Sequence, residues 1–385
     1  MSEISEAQRL QILHNLVAIP SVNDHEVQVA QYLKKLLADH GITSKILPVS
    51  GDRANLVAEI GSGQPVLAVS GHMDVVDPGD KRQWDSDPFA LTERQGKLFG
   101  RGATDMKSGL AALVIAMIEL HAQGQPQHGT IRLLATMGEE IGELGSKQLL
   151  DDGYMKDAAA LLIGEPTGWY VAHAHKGSMD IRFTSHGRAA HSSMPEDGFN
   201  AIDPLLQLLQ DGNHLFREMN TKTNELLGPL TFNTTIISGG HQVNSIPDLA
   251  TAEVNVRTIP EQNNDRVEKE LKRLVAIQKE SGAQIDMDVY MSQPSRAVKG
   301  DSRLADLAAK LGQQASGKEL KRGGIPPVTD ASNLLAGKGP GFPFIVFGPG
   351  NATAHQVNEF VPKDMYLQFC DLYPQLFTAF LSPEK

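Results

Sequence analysis

Apolar residues along this chain move between helical and strand spacing in a regular order. Near residues 5–18, and again over "DHEVQVAQYLKKLLADHG", they recur every three to four positions, which predicts two amphipathic helices. Short apolar runs follow, "SKILPV", "ANLVAEI" and "PVLAVSGH", each read as a strand. A helix over 108–122, the strand "TIRLLATM", a helix near 143–151 and the strand "AAALLIG" continue the alternation. This is the pattern of an α/β domain with a mostly parallel sheet. The stretch "LAALVIAMIEL" at 110–120 is the longest apolar helical run, yet it is only about half the length a bilayer requires, so it reads as a buried core helix.

Around residue 177 the texture changes. "GSMDIRFTSHG" alternates as a half-exposed strand, and "NAIDPLLQLLQDGNHLFREMN" has helical periodicity. "PLTFNTTIISGG" and "DLATAEVNVRTI" are strands, "NDRVEKELKRLVAIQKES" is a charged amphipathic helix, and "AQIDMDVYMS" closes the series. The order β-α-β-β-α-β is that of a ferredoxin-like unit. After about residue 291 the first texture returns, with helix "SRLADLAAKLGQQAS", strand "FPFIVFGPG" and a final helix near 363–381. The expected organisation is a discontinuous α/β domain, 1–176 and 291–385, interrupted by a lid or dimerisation domain over 177–290.

Composition narrows the function. A chain of 385 residues can bury its core without staples, and its single cysteine, Cys370, excludes an intrachain disulfide. The start "MSEISEAQRLQILHNLVAI" has acids and polar residues where a signal peptide needs a cationic and then an apolar run, so the expectation is a cytoplasmic enzyme that does not span a membrane. A formal net charge of −11 without any clustered cationic face argues against nucleic acid, and aromatics at 5% weaken base stacking as a binding mode. Among the thirteen histidines, His121, His128, His173 and His175 are expected at the surface or in loops.

Ligands of open α/β sheets gather beyond the carboxyl ends of the strands. At that edge "PVLAVSGHMD" ends in His72 and Asp74, and "LFGRGATDMKSG" places Asp105 in a glycine-rich loop ahead of the core helix. "IRLLATMGEE" ends in Glu139 and Glu140, "AAALLIGEPTG" in Glu165, and "FPFIVFGPGNATAH" leads to His355. Left unpaired, these acids would repel, and burying one ionised carboxylate alone costs several kcal/mol. Two histidines with several carboxylates suit zinc, with cobalt or manganese as alternatives. Charge balance points to two divalent ions, about +4, against three ligating carboxylates and one hydroxide. Adjacent side chains diverge on an extended backbone, so one of Glu139 and Glu140 can hold a metal while the other, Glu139, faces water as a general base.

Taken singly, each motif has a plainer reading. His-x-Asp after a strand is commonly a loop hydrogen-bond pair, and Glu-Glu before a helix favours the dipole's positive end. "GRGATDMKSG" is not a phosphate loop, because Met106 stands where a glycine must precede Lys107 and Ser108.

In their order these residues resemble the aminoacylase/carboxypeptidase-type dinuclear zinc hydrolases, the family of acetylornithine deacetylase and succinyl-diaminopimelate desuccinylase. The likeness runs through "SGHMDVV", "GRGATDMKSGLAA", "GEEIGELGS", "GEPTG", "GRAAHSSMPEDGFNAI", "NSIPD" and "FGPGNATAHQVNEFV". It implies Asp105 as bridging ligand, His72 and Glu165 completing one metal site, and Glu140 and His355 the other. It also implies Asp74 as the acid that orients His72, Glu139 as catalytic acid/base, and His191 as a histidine that reaches across, usually from a partner subunit, to the oxyanion. Arg257 in "VNVRTIP" and Asn244 in "NSIPD" resemble lid residues that hold a substrate carboxylate; a strand-edge salt bridge is the plainer reading of Arg257.

Two positions depart from the family. Many relatives have Asp at Asn255, which bears on the placement of Arg257, and desuccinylases often have Arg at Ser332, which bears on the acyl group. The implied activity is hydrolysis of the amide bond of an N-acyl amino acid by a homodimer, of desuccinylase or deacetylase type. A metal-dependent dipeptidase or carboxypeptidase is the alternative within the family, and a non-catalytic metal-dependent binding module the alternative outside it.

Overall fold

The computed structural model describes residues 4–383, which form two compact units. The first comprises the chain up to His173, Val298–Gly323 and the segment from Thr329 onward. Its helix Glu6–Val17 opens with a capping box, in which the Ser5 hydroxyl accepts from the Gln8 amide and Gln8 Oε1 accepts from the Ser5 amide at 2.9 Å. The sheet runs in the order Ser44–Ser50, Arg53–Ser62, Gly129–Thr136, Val66–His72, Ala158–Ile163, Phe344–Val346, then Tyr170–His175. Its middle four strands are mutually parallel, with antiparallel neighbours on both sides.

Val66–His72 and Gly129–Thr136 are buried at every position, which is why both read as unbroken apolar runs. Helix Lys107–Ala122 is likewise buried from Lys107 to Leu120 and packs within the same core as Leu67, Val69, Ile131, Leu162, Phe369 and Tyr373. No helix among the described residues is long and apolar enough to cross a membrane.

The core helix meets the sheet's carboxyl edge through glycines. A Cβ at Gly109 or at Gly348 would overlap the carbonyl oxygen of Gly164, the residue before Glu165. Backbone cannot yield as a flexible side chain can, so Gly109→Ala is expected to lower stability by about 1–3 kcal/mol or more, the range for overpacking. Urea unfolding of the purified variant measures this directly.

The second unit comprises Ala174–Ala297 with Gly324–Val328. Its four-stranded antiparallel sheet has the order Thr231–Gly239, Leu249–Thr258, Gly177–His186, Gln284–Gln293. With helices Ile202–Met219 and Asn264–Glu280 this is a ferredoxin-like arrangement. One sheet face turns Met179, Ile181, Phe183, Val254 and Val256 into a core shared with Leu205, Leu208, Val267 and Leu271 of the helices.

Two of the four histidines expected outside are interior. His121 and His128 are exposed, but His173 and His175 lie on strand Tyr170–His175 at 6% and 0% exposure. Each can be buried because a main-chain carbonyl takes its Nδ1–H, Val298 O for His173 and Lys176 O for His175, both at 2.8 Å. Burial pushes the His175 ring down to about 4, so it is neutral. The strand itself was not foreseen, because polar rings occupy its alternating positions. A small sheet of Thr92–Arg94, Lys97–Phe99 and Phe360–Pro362 was also unforeseen, its strands being too short to display a period.

Candidate metal centre

Strand register brings the chemistry together. His72 pairs with Thr136 and Ser70 with Ile163, so the parallel strands end nearly level. The residues that follow them, Asp74, Glu139, Glu140 and Glu165, therefore emerge at one edge. Asp105 comes from the loop ahead of helix Lys107–Ala122, and His355 from the loop after strand Phe344–Val346.

Asp105 occupies the middle. Its Oδ1 lies 3.0 Å from His72 Nε2, and its Oδ2 lies 3.4 Å from His355 Nε2. His72 Nε2 is also 3.5 Å from Glu165 Oε1, and His355 Nε2 is 3.0 Å from Glu140 Oε2. Two imidazole–carboxylate sets thus share one aspartate. Donor atoms of His72, Asp105 and Glu140 lie within 4.8 Å of one another, as do those of His72, Glu139 and Glu165. The second grouping places Glu139 beside the His72–Glu165 set, and the first keeps Glu140 within reach of both histidines.

Asp74 is fully buried and does more than face His72. Its carboxylate accepts the main-chain N–H of Glu139 at 3.2 Å and of Glu140 at 3.0 Å. The His72 Nδ1–H goes to the main-chain oxygen of Asp74 at 3.0 Å, with the carboxylate at 3.6 Å, beyond ordinary hydrogen-bond length. With Nδ1 so occupied, Nε2 is left to face Asp105 and Glu165 as a donor atom.

The electrostatics of the site call for cations. Burial, and then Glu165, push the Glu139 carboxyl well above its ordinary range; burial, and then Asp105, do the same to Glu165. Burial opposes a charge on His72, but Glu165, Asp105 and Asp74 outweigh it and raise the imidazole well above its usual value. Nearby cations are committed elsewhere. Lys107 Nζ donates to the carbonyls of Leu16 and Ile19 at 2.9 and 2.7 Å, Arg53 pairs with Glu26 and Asp24, and Arg101 pairs with Glu359. Two imidazoles among five converging carboxyls, without a free lysine or arginine beside them among the described residues, fit a pair of divalent metals.

Four groups beside the centre escaped the sequence reading. Asp330 is buried, accepts the Thr136 hydroxyl at 2.5 Å, and is pushed up to about 6 by burial. Glu359 and Arg101 form a buried ion pair under the Asp105 loop, and Lys107 anchors the start of the core helix. Arg101, Lys107 and Glu359 lie within motifs quoted above, but nothing in their local pattern separates them from surface charges.

The remaining sequence-derived residues belong to the second unit. His191 and Asn244 lie side by side on a short ribbon in which His191 pairs with Ser245 and the Ser192 amide donates to Asn244 O at 3.0 Å. His191 is exposed, and its Nδ1 lies 2.7 Å from the Ser193 hydroxyl and 3.2 Å from the Ser193 amide nitrogen. Arg257 stands on strand Leu249–Thr258, paired with Ser178. Its Nε donates to Asn255 Oδ1 at 3.1 Å, and Asn255 Nδ2 in turn donates to Asp180 at 2.7 Å. The acid near Arg257 is thus one strand removed, relayed through a neutral amide.

The chain is similar to known proteins over nearly its whole length. A Staphylococcus epidermidis protein named probable succinyl-diaminopimelate desuccinylase is 42% identical across 99% of this chain and 100% of that one. Among solved structures, a metallo-carboxypeptidase of the M20 family from Sulfolobus solfataricus shares the fold with a TM-score of 0.82 at 18% identity, covering 96% of this chain and 98% of that one. A dinuclear metal binding peptidase of the same family from Bacillus subtilis matches with a TM-score of 0.72 at 19% identity, covering 98% of each chain. The family model for peptidases M20/M25/M40 matches residues 68–379, a span that holds every residue of the converging cluster, and the chain belongs to this family of metal-dependent hydrolases.

Proposed function

We propose that this chain binds two divalent ions, zinc in the first instance, and hydrolyses the amide bond of an N-acyl amino acid, with N-succinyl-diaminopimelate as the leading substrate. The observation that carries the two-ion reading is the split of Asp105, whose two oxygens face different histidines. His72 and Glu165 would hold one ion, Glu140 and His355 the other, and Asp105 both. The substrate assignment is supported by the near full-length likeness to a probable succinyl-diaminopimelate desuccinylase.

When bound, such ions supply Lewis-acid polarisation of a carbonyl and make a water acidic near neutral pH. Glu139, half-buried beside His72 and Glu165, takes the proton of the attacking water and passes it to the departing amine. Asp74 holds the amides of Glu139 and Glu140, which keeps the base and the adjacent ligand on one rigid turn. His191, from the inserted unit of this chain or of a second copy, donates its Nε2–H to the oxyanion. Arg257 takes a substrate carboxylate through its two terminal nitrogens, its Nε being held by Asn255.

Dipeptide hydrolysis is kept as a second reading on one observation. Residue 332, where desuccinylases often carry arginine, is a buried serine, and its neutral hydroxyl offers no cation to a succinyl carboxylate. A panel of N-succinyl, N-acetyl and dipeptide substrates, assayed with added zinc or cobalt, decides between them. Preference for dipeptides would displace the first reading, and absence of any amide hydrolysis would leave a binding module. Replacing Arg257 by Met should raise KM about 10- to 100-fold with little change in kcat, as expected for a charge-assisted contact made equally in ground and transition states. Steady-state kinetics on the preferred substrate reads this out.

We also place the protein as a homodimer. Strand Thr231–Gly239 is an unpaired edge of its sheet, and Ile236 and Ile237 on it are 56% and 54% exposed. Sedimentation equilibrium tests the assignment.

A further inference from the structure

We infer that the buried Arg101–Glu359 pair is a clasp that positions Asp105, so that Glu359, which touches no ion itself, sets the affinity of the metal centre. This rests on the reading of Asp105 as the shared ligand.

Glu359 is fully buried and all its bonds converge on one loop. Its Oε1 accepts the amides of Thr104 at 2.8 Å and Asp105 at 2.9 Å, and its Oε2 accepts the amide of Gly102 at 3.1 Å and Arg101 Nη1 at 2.5 Å. The main chain adds to this, with the Gly100 amide donating to Glu359 O at 3.0 Å and the Thr104 hydroxyl to Phe360 O at 2.5 Å. The amide of the shared ligand is therefore held by the segment that also carries His355. Arg101, 2% exposed, extends the link: its Nη2 lies 3.4 Å from Asp77 O and 3.5 Å from His355 O. One ion pair thus spans three loops, each of which delivers a residue of the cluster.

The chemistry requires a carboxylate. Four donors meet two oxygens, and a glutamine would offer one oxygen and an N–H₂ group that confronts N–H donors. Removing one partner of a buried pair also strands the other charge. The loop amide would shift, and with it the carboxylate that both ions are to share.

The test is titration of the metal-free full-length protein with cobalt(II), followed calorimetrically, on wild type, Glu359→Gln and the control Glu119→Gln. The control breaks a part-buried pair of the same unit, Arg9–Glu119, whose acid sits near the far end of helix Lys107–Ala122 from Asp105. Wild type should bind two ions. Glu359→Gln should bind the weaker ion about 10- to 100-fold less tightly, the usual cost of losing a group that supports a ligand. Its loss of activity at limiting metal should be recovered by excess cobalt.

Glu119→Gln should lose stability without losing metal affinity. Wild-type affinity for both ions in folded Glu359→Gln overturns the clasp while leaving the two-ion reading intact. Fewer than two ions on wild type overturns that reading instead. Should Glu359→Gln fail to fold, the same titration is run on Arg101→Lys, which keeps the charge but not the reach to Asp77 and His355. Weaker binding of one ion there supports the clasp, and wild-type affinity overturns it.

Discussion

Glu139→Gln is expected to keep two ions per chain and to lose roughly 10²- to 10⁴-fold in turnover, the range for removing a general acid/base. The substitution conserves shape and leaves the main-chain N–H of residue 139 on Asp74 at 3.2 Å, so the turn that carries Glu140 should survive. What disappears is the group that moves a proton between water and leaving amine. Metal analysis together with kcat on the preferred substrate measures both halves, and near-normal turnover with full metal would remove Glu139 from the mechanism.

Asp105→Ala is expected to act in the opposite order, on binding first. Both Asp105 oxygens face an imidazole, so the methyl side chain deletes a donor from each set and leaves Glu140 as the carboxylate beside His355. At most one ion should remain after dialysis against metal-free buffer, and turnover should fall about 10³-fold, equivalent to roughly 4 kcal/mol of transition-state stabilisation. Retention of two ions at wild-type affinity would refute the role of shared ligand. The two variants separate cleanly, because one loses a proton carrier with metal in place and the other loses metal.

Much of this was legible because the same physics writes both the pattern and the site. Strands buried on both faces read as apolar runs, the runs fix where each strand stops, and the residues at or just past the stops are those that converge: His72, Asp74, Glu139, Glu140 and Glu165. The inserted unit was equally readable, since one of its sheet faces is polar and its strands alternate. What stayed hidden depends mostly on contacts far apart in sequence. Arg101 and Glu359 are 258 positions apart, and neither carries any local sign that it is interior. His173 and His175 were placed outside because an imidazole is buried only when a main-chain carbonyl waits for its N–H, and such a carbonyl leaves no mark in the sequence. Asp330 was invisible for a similar reason, its partner Thr136 lying at the end of a distant strand.

The grip of Asp74 on two successive amides has a consequence for how such a centre can change. Because one interior carboxylate fastens the peptide units of both Glu139 and Glu140, the two side chains fan apart from a common pivot. A change at that interior carboxylate would therefore unseat both peptide units at once, so that the two neighbouring acids stand or fall together.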